Sequence, residues 1–242
     1  MGRVLCEQTE STADTGLRRM KVVLLSDIHG NLPALEAVLR VMPPLDQVIC
    51  VGDIVGYNPW PAECVELIRD VADLVVQGNH DRNVETPNRY DHNEMAHAGL
   101  EHAKAELNDE QREWLAALPP RGEFADGKYK LAHSHPSPNH QGKYVFPSTF
   151  PTMRRYLDDY EGLVIGHTHI QHEALIDGRL IVNPGSVGQP RDGNPNAAYA
   201  VLDTDAQRVT MHRVEYDIDR VISRVEDSDL PIKIGTRLLD GS

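Results

Sequence analysis

Only three cysteines occur in 242 residues, Cys6, Cys50 and Cys64, and none sits in a CxxC pair. An odd, unpaired set predicts no disulfide framework and fits a reducing compartment, so a cytoplasmic protein is expected. Long apolar runs are missing as well. The first strong one, residues 22–25, is far below the roughly 20 residues that span a bilayer, so no membrane segment is expected. The pair Arg18-Arg19 runs too quickly into Ser26-Asp27 to read as an export signal. Met1-Gly2 lacks the Ser or Thr at position six that N-myristoylation needs. Basic residues are scarce: 24 Lys+Arg face 37 Asp+Glu, for a net charge of −13. Long nucleic acid and anionic lipid need a basic face and are disfavoured as partners. A small anionic substrate is still compatible, provided a local cation reverses the sign. No internal repeat or low-complexity tract is present.

What is present fits one large soluble domain: 40% hydrophobic and 25% charged residues, with 12 histidines. Residues 1–19 carry no periodicity and read as a flexible N-terminal tail. Residues 21–26, 47–51 and 74–77 are short β-rich apolar runs, with Cys50 a small core residue in the second. Helical stretches follow the first two, one capped by Asn31 with Pro33 in its first turn, the other spanning 61–71. This β-loop-α order predicts a mostly parallel sheet with helices outside. Residues 93–118 read as two helices, the second opened by an Asn108/Gln111 capping box. Residues 129–132 read as a strand, 134–147 as a loop and 152–160 as a short helix. Strands are expected at 163–165, in a hairpin turning at Asp177-Gly178, and in a pair at 198–202 and 208–214, before a closing helix at 218–225. The predicted domain spans 20–226, with 227–242 a C-terminal tail. Its predicted class is α/β, with two packed sheets.

Metal-ligating residue types recur just after predicted strands: Asp27-Ile28-His29, Gly52-Asp53, Gly78-Asn79-His80-Asp81, His133 and Gly166-His167-Thr168-His169. In open α/β sheets ligands collect at the carboxyl ends of strands, so five strand ends would aim this set at one place. Oxygen and nitrogen donors without thiolate suit Mn, Fe, Zn, Co or Ni and argue against a sulfur-rich structural zinc. A carboxylate can bridge two such ions for two-metal chemistry. The glycines before Asp53, Asn79 and His167 are read as allowing sharp turns. Each element alone is weak; their order and placement carry the inference.

These motifs, D-x-H, G-D, G-N-H-D, H and G-H-x-H, resemble the calcineurin-like metallophosphoesterase superfamily over roughly residues 21–215. The stretches 26–31 and 183–191 (Asn-Pro-Gly-Ser-Val-Gly-Gln-Pro-Arg) resemble its small bacterial and archaeal phosphodiesterases. The resemblance implies a four-layer αββα sandwich of two mixed β-sheets flanked by helices. It implies that Asp27, His29 and His169 hold one metal, that Asn79, His133 and His167 hold a second, and that Asp53 bridges. It also implies in-line attack by a metal-bridging hydroxide, with His80 as general acid and manganese the favoured ion. Two carboxylates against two divalent cations would leave the site locally cationic within an acidic chain. A homodimer is compatible with the resemblance.

The sequence also departs from relatives that act on phosphoproteins. Those read G-D-x-x-D-R-G, whereas here Gly56 replaces the Asp that orients the catalytic His, and Tyr57 replaces the phosphate-gripping Arg. The partner of His80 is then open. Arg191 reads either as a substitute phosphate contact or as part of a turn with Asp192. Tyr57, Asn58 and Trp60 are candidates to line the substrate cleft. His135 is a second candidate for the fourth motif, a substrate contact or a polar loop residue, the last being preferred. His92, His97, His102, His140, His172 and His212 read as solvated or core residues, and Asp81 as a local cap. The expected function is hydrolysis of small phosphodiesters or nucleotides. The alternatives are a dinucleoside polyphosphate hydrolase, a phosphomonoesterase and a non-catalytic metal-binding scaffold. Residues 83–120 and 134–150 are expected to select the substrate.

Overall fold

The computed structural model describes residues 20–242; the expected N-terminal tail, 1–19, lies outside the described residues. Two five-stranded mixed sheets stack face to face. The first has the order β10-β9-β1-β2-β3, built from β1 (Lys21–Leu25), β2 (Gln47–Cys50), β3 (Leu74–Val75), β9 (Ala197–Asp203) and β10 (Arg208–Val214). The second has the order β4-β5-β6-β8-β7, built from β4 (Arg121–Phe124), β5 (Tyr129–Ala132), β6 (Gly162–Val164), β7 (His172–Ile176) and β8 (Arg179–Asn183). β1, β2 and β3 run parallel, as do β5, β6 and β8, while β9, β4 and β7 pair antiparallel to their neighbours.

The alternation of strand side chains sorts the cores. Val22 and Leu24 face Leu131, Val164 and Val182 between the sheets, while Val23 and Leu25 face the helices on the outer side. In β6, Val164 points between the sheets, whereas Leu163 and, just past the strand, Ile165 point to the opposite face, against Phe150 and Met153. The helices on the first sheet include α1 (Leu32–Val41), α2 (Pro61–Val71) and α7 (Ile218–Asp227). On the second sheet lies the short α6 (Phe150–Met153), continued by a tighter turn at Arg154–Tyr156. The four layers are thus those expected.

Local signals act as read. Asn31 accepts the Ala34 N–H, and Asn108 and Gln111 cap each other's backbone N–H at the start of α5 (Asp109–Ala117), after α3 (Asn79–Asn83) and α4 (Glu94–Glu106). Two differences stand out. β4 is absent from the sequence-based reading, because it is an edge strand with only Phe124 buried. The segment expected as a C-terminal tail at 227–242 packs on the domain, with Leu230, Ile234 and Leu238 buried in the main core and α8 at Lys233–Thr236. Its few apolar residues lack the length for a clear helical period, yet burial needs only three of them. No helix among the described residues is long and apolar enough to cross a membrane.

Candidate active site

The carboxyl ends of β1, β2, β3, β5 and β6 converge, and their following loops carry the expected residues. The β1–β2 ladder continues into these loops: Asp27, His29 and Gly30 donate their N–H groups to the carbonyls of Gly52 (2.9 Å), Asp53 (3.0 Å) and Ile54 (2.8 Å). The polar residues are held in the left-handed region, with φ 52° at Asp27, 50° at His29, 54° at Asp53, 69° at His167 and 59° at His169. Such conformations are costly for residues with a Cβ and persist where neighbours over-determine them, typically at functional sites. The glycine before Asp53 does turn, with Gly52 at φ 90°. The other two act differently. A Cβ on Gly78 would meet Asp53 Oδ1 at 2.0 Å, and one on Gly166 would meet Ser26 Oγ at 2.1 Å. Close approach, not a turn, requires glycine at 78 and 166.

Asp27, His29, Asp53, His133 and His169 are almost fully buried, and His167 is 8% exposed. His169 Nε2 lies 3.3 Å from Asp27 Oδ1 and 3.1 Å from His29 Nε2. His133 Nε2 lies 3.2 Å from Asp53 Oδ2 and 3.1 Å from Asn79 Oδ1. Among the described residues three groups have donor atoms close enough to share an ion: Asp27, His29 and His169; Asp53, His133 and His167; and His29, Asp53 and His80.

Carbonyls behind the rings fix which nitrogen faces inward. Nδ1 of His29 donates to Val55 O (3.1 Å), Nδ1 of His133 to Val51 O (2.8 Å) and Nδ1 of His169 to Gln189 O (2.6 Å). His167 is reversed, with Nε2 donating to Gly142 O at 3.1 Å. Such partners orient the lone pairs of metal-binding histidines. The Asn79 amide is oriented likewise, with Nδ2 donating to the Tyr90 hydroxyl at 2.6 Å.

This donor set fits divalent cations. Burial holds His29 and His169 well below the usual histidine range, and His167 down at about 3, so their inward nitrogens carry lone pairs. Two such lone pairs facing each other at 3.1 Å repel unless a cation lies between them. Burial raises the Asp27 carboxyl to about 7. Burial disfavours charge on His133 and Asp53 alike. Their mutual attraction outweighs it, raising His133 to about 9 and keeping Asp53 well below the usual carboxylate range. Buried anions that draw a proton onto a neighbouring ring also favour a metal ion there.

Asp81 does more than cap. Its carboxylate accepts N–H groups from Asp53 (2.8 Å), Ile54 (2.8 Å), Gly78 (2.9 Å) and Val55 (3.3 Å). Burial, with Asp53 close by, pushes this carboxyl up to about 6 despite those donors. The 183–191 stretch is a second brace. Ser186 Oγ donates to Asp27 O at 2.6 Å, Asn183 Nδ2 donates to Gly166 O at 2.8 Å, and a Cβ on Gly188 would fall 1.7 Å from Ile28 O. These braces act through backbone groups, which a residue pattern does not display.

A cleft of about 90 Å³ opens over the cluster, lined by Asp53, Asn79, His80, Tyr57, Tyr144 and Arg191 among others. Arg191 reaches the Tyr57 hydroxyl at 3.3 Å, its guanidinium lies 5.6 Å from the Tyr57 ring centre, and Gln189 accepts its Nε–H. Asp192 pairs instead with Arg213, so the turn reading of Arg191 is not what forms. Asn58 is buried and donates to His29 O at 2.9 Å, bracing that loop rather than lining the cleft. Trp60 packs in the core. His135 accepts from Ser137 N and packs against His140 and Tyr156, as a loop residue. Tyr90, Asn93 and Tyr144 line the cleft from within the segments 83–120 and 134–150 without having been named individually, and His92, read as a solvated or core residue, lines it too. A contact between loops distant in sequence leaves no local signal. His80, an imidazole whose ordinary pKa lies near neutrality, is pushed down to about 4 by burial. Among the described residues its Nδ1 has no hydrogen-bond partner, and it faces Gly56.

Two stacked mixed sheets with a buried Asp/His cluster at their strand ends define a metallophosphoesterase. The chain belongs to the calcineurin-like phosphoesterase superfamily, whose domain model matches residues 20–207, and it is a metal-dependent hydrolase of phosphoric esters. It is 36% identical over 244 residues to an uncharacterized protein of Methanocaldococcus jannaschii, covering 91% of this chain and 98% of that one. It is 28% identical over 202 residues to the phosphodiesterase YfcE of Escherichia coli K12, covering 78% of this chain and 91% of that one. The crystal structure of a metallophosphoesterase from Sphaerobacter thermophilus matches at TM-score 0.79 and 36% identity, covering 93% of this chain and all of that one.

Proposed function

We propose that the chain is a phosphodiesterase of small diesters or nucleotides, working with two divalent cations, manganese favoured. Asp27, His29 and His169 would hold one ion, Asn79, His133 and His167 the other, and Asp53 would bridge. The observation that carries this reading is the set of imidazoles turned inward by backbone carbonyls around two buried carboxylates. Bound divalent cations supply Lewis acidity to phosphoryl oxygens and acidify water at neutral pH.

The chain's own residues divide the remaining tasks. Arg191, steadied by Tyr57 and Gln189, offers a positive charge at the cleft for a phosphoryl oxygen. His80 stands on the leaving-group side. With no acceptor at Nδ1 among the described residues, its neutral form keeps the proton on Nε2, able to donate to the departing oxygen. An arriving phosphate anion raises the ring's proton affinity, as Asp53 already does, and so favours the imidazolium, which can pass a whole proton to the departing oxygen and return to the neutral ring.

Arg191 is the one Arg or Lys among the described residues lining the cleft. One such charge suits a diester monoanion better than a tetraphosphate, which favours the diester over the dinucleoside polyphosphate reading. The test compares bis-p-nitrophenyl phosphate, p-nitrophenyl phosphate and diadenosine tetraphosphate, with manganese and with chelator. Metal-dependent turnover highest on the diester is expected. A clear preference for the tetraphosphate or the monoester would overturn the assignment.

A further inference from the structure

The cleft carries more exposed aromatic surface than its ionic chemistry requires. Tyr144 lies flat on the His167 imidazole, with centroids 4.2 Å apart and planes 14° apart. Phe146 continues the stack, 5.5 Å and 23° from Tyr144. His167 is buried, whereas Tyr144 is 51% and Phe146 45% exposed, so the three rings climb from the ligand cluster to solvent. Large apolar rings left in water beside a cleft mark a surface that something covers.

The ladder stands on ordered backbone. Gly142 O accepts the His167 Nε2–H, Lys143 N donates to His140 O at 3.0 Å, and Phe146 O accepts both the N–H (2.8 Å) and the hydroxyl (2.7 Å) of Thr149. The ladder also lies apart from the leaving-group side. His167 clusters with Asp53 and His133, while His80 clusters with Asp53 and His29 and is flanked by Tyr57 and Tyr90.

We propose that Tyr144 and Phe146 form a stacking surface for the nucleobase of a nucleoside phosphodiester, on the ester group that stays with the phosphate. This rests on the phosphodiesterase reading above and names its substrate class. The choice of a nucleobase follows from shape and charge. Flat exposed rings read the face of a planar heterocycle and not its edges, so selection is for a base with little discrimination among bases. Lys143 adjoins Tyr144, but the stacked rings themselves offer a ligand a flat apolar face and not a phosphate contact.

The experiment uses the manganese-loaded chain and two diesters with one leaving group: thymidine 5′-(p-nitrophenyl phosphate) and methyl p-nitrophenyl phosphate. The ratio of their kcat/KM values isolates the nucleoside. The chain should favour the nucleoside ester, and Phe146→Ala and Tyr144→Ala should each lower the ratio about tenfold, within the usual range for one base stacked on an aromatic ring. Tyr144→Phe should keep it. Calorimetric titration with thymidine 5′-monophosphate and with inorganic phosphate gives a second readout. The nucleotide should bind more tightly, and Phe146→Ala should narrow the gap. An unchanged ratio in both alanine variants, or equal binding of nucleotide and phosphate by the unaltered chain, overturns the proposal. Failure to hydrolyse even the methyl ester counts separately, against the phosphodiesterase reading, and leaves the titration to decide on stacking.

Discussion

A Cβ on Gly56 would fall 2.3 Å from His80 Nδ1, so the glycine that stands where phosphoprotein phosphatases carry an Asp is the wall on which the His80 ring rests. The ring is positioned by contact instead of by a carboxylate. Gly56→Ala should therefore displace His80 and lower kcat at least tenfold while metal content is retained. Its backbone, at φ 92°, adds a strain cost of about 1–2 kcal/mol. Gly178→Ala, at φ 73° with open space around it, carries similar strain without the contact and should keep kcat. Equal loss of kcat in both variants would show that strain, not displacement of His80, is responsible.

Asp81 collects four backbone N–H groups from the loops bearing Asp53 and Asn79. Asp81→Asn places an NH₂ against two of those donors. Buried unsatisfied groups cost about 1–3 kcal/mol each, so a loss of about 2–4 kcal/mol in denaturant unfolding is expected, with weaker metal binding. A loss below 0.5 kcal/mol would refute the bracing role.

Metal analysis of the dialysed chain should find two equivalents of divalent ion, and chelation should abolish turnover until metal is restored. His169→Ala and His167→Ala remove donors from different groups, so each should lower the content toward one equivalent. Asp53→Asn should impair both. Full occupancy in Asp53→Asn would end the bridging assignment.

Burial pushes the Cys50 and Cys64 thiols above their ordinary range, and both are fully buried. The thiolate is the reactive form. Peptide mapping after alkylation of the native chain at pH 8 should find both unmodified, with full labelling in denaturant. Rapid native labelling of either would contradict their placement.

Ile234 is fully buried in the C-terminal segment, whereas Leu239 is 55% exposed. Ile234→Ala should cost about 2–4 kcal/mol in unfolding free energy, and Leu239→Ala less than about 0.5. Equal, negligible effects would mean that residues beyond α7 do not contribute to the fold.

The sequence by itself determined every strand but β4, the principal helices and the set of residues that meet. Strand alternation, the Asn31 and Asn108 caps and the Asp177-Gly178 turn act within a few residues, so they are legible in a linear text. The motif residues were legible too, because parallel strands send all their carboxyl ends to one edge. Tertiary structure alone decided the rest. It set which nitrogen each imidazole turns inward, since Val55, Val51, Gln189 and Gly142 supply backbone carbonyls that no motif displays. It moved Asn58 from cleft to brace, brought Arg191 onto Tyr57 across 134 residues, and laid Tyr144 on His167. It also packed residues 228–242 onto the core with three apolar side chains. The division has one physical cause: propensity and periodicity are local, whereas burial, ring orientation and the approach of one loop to another depend on segments that only folding brings together.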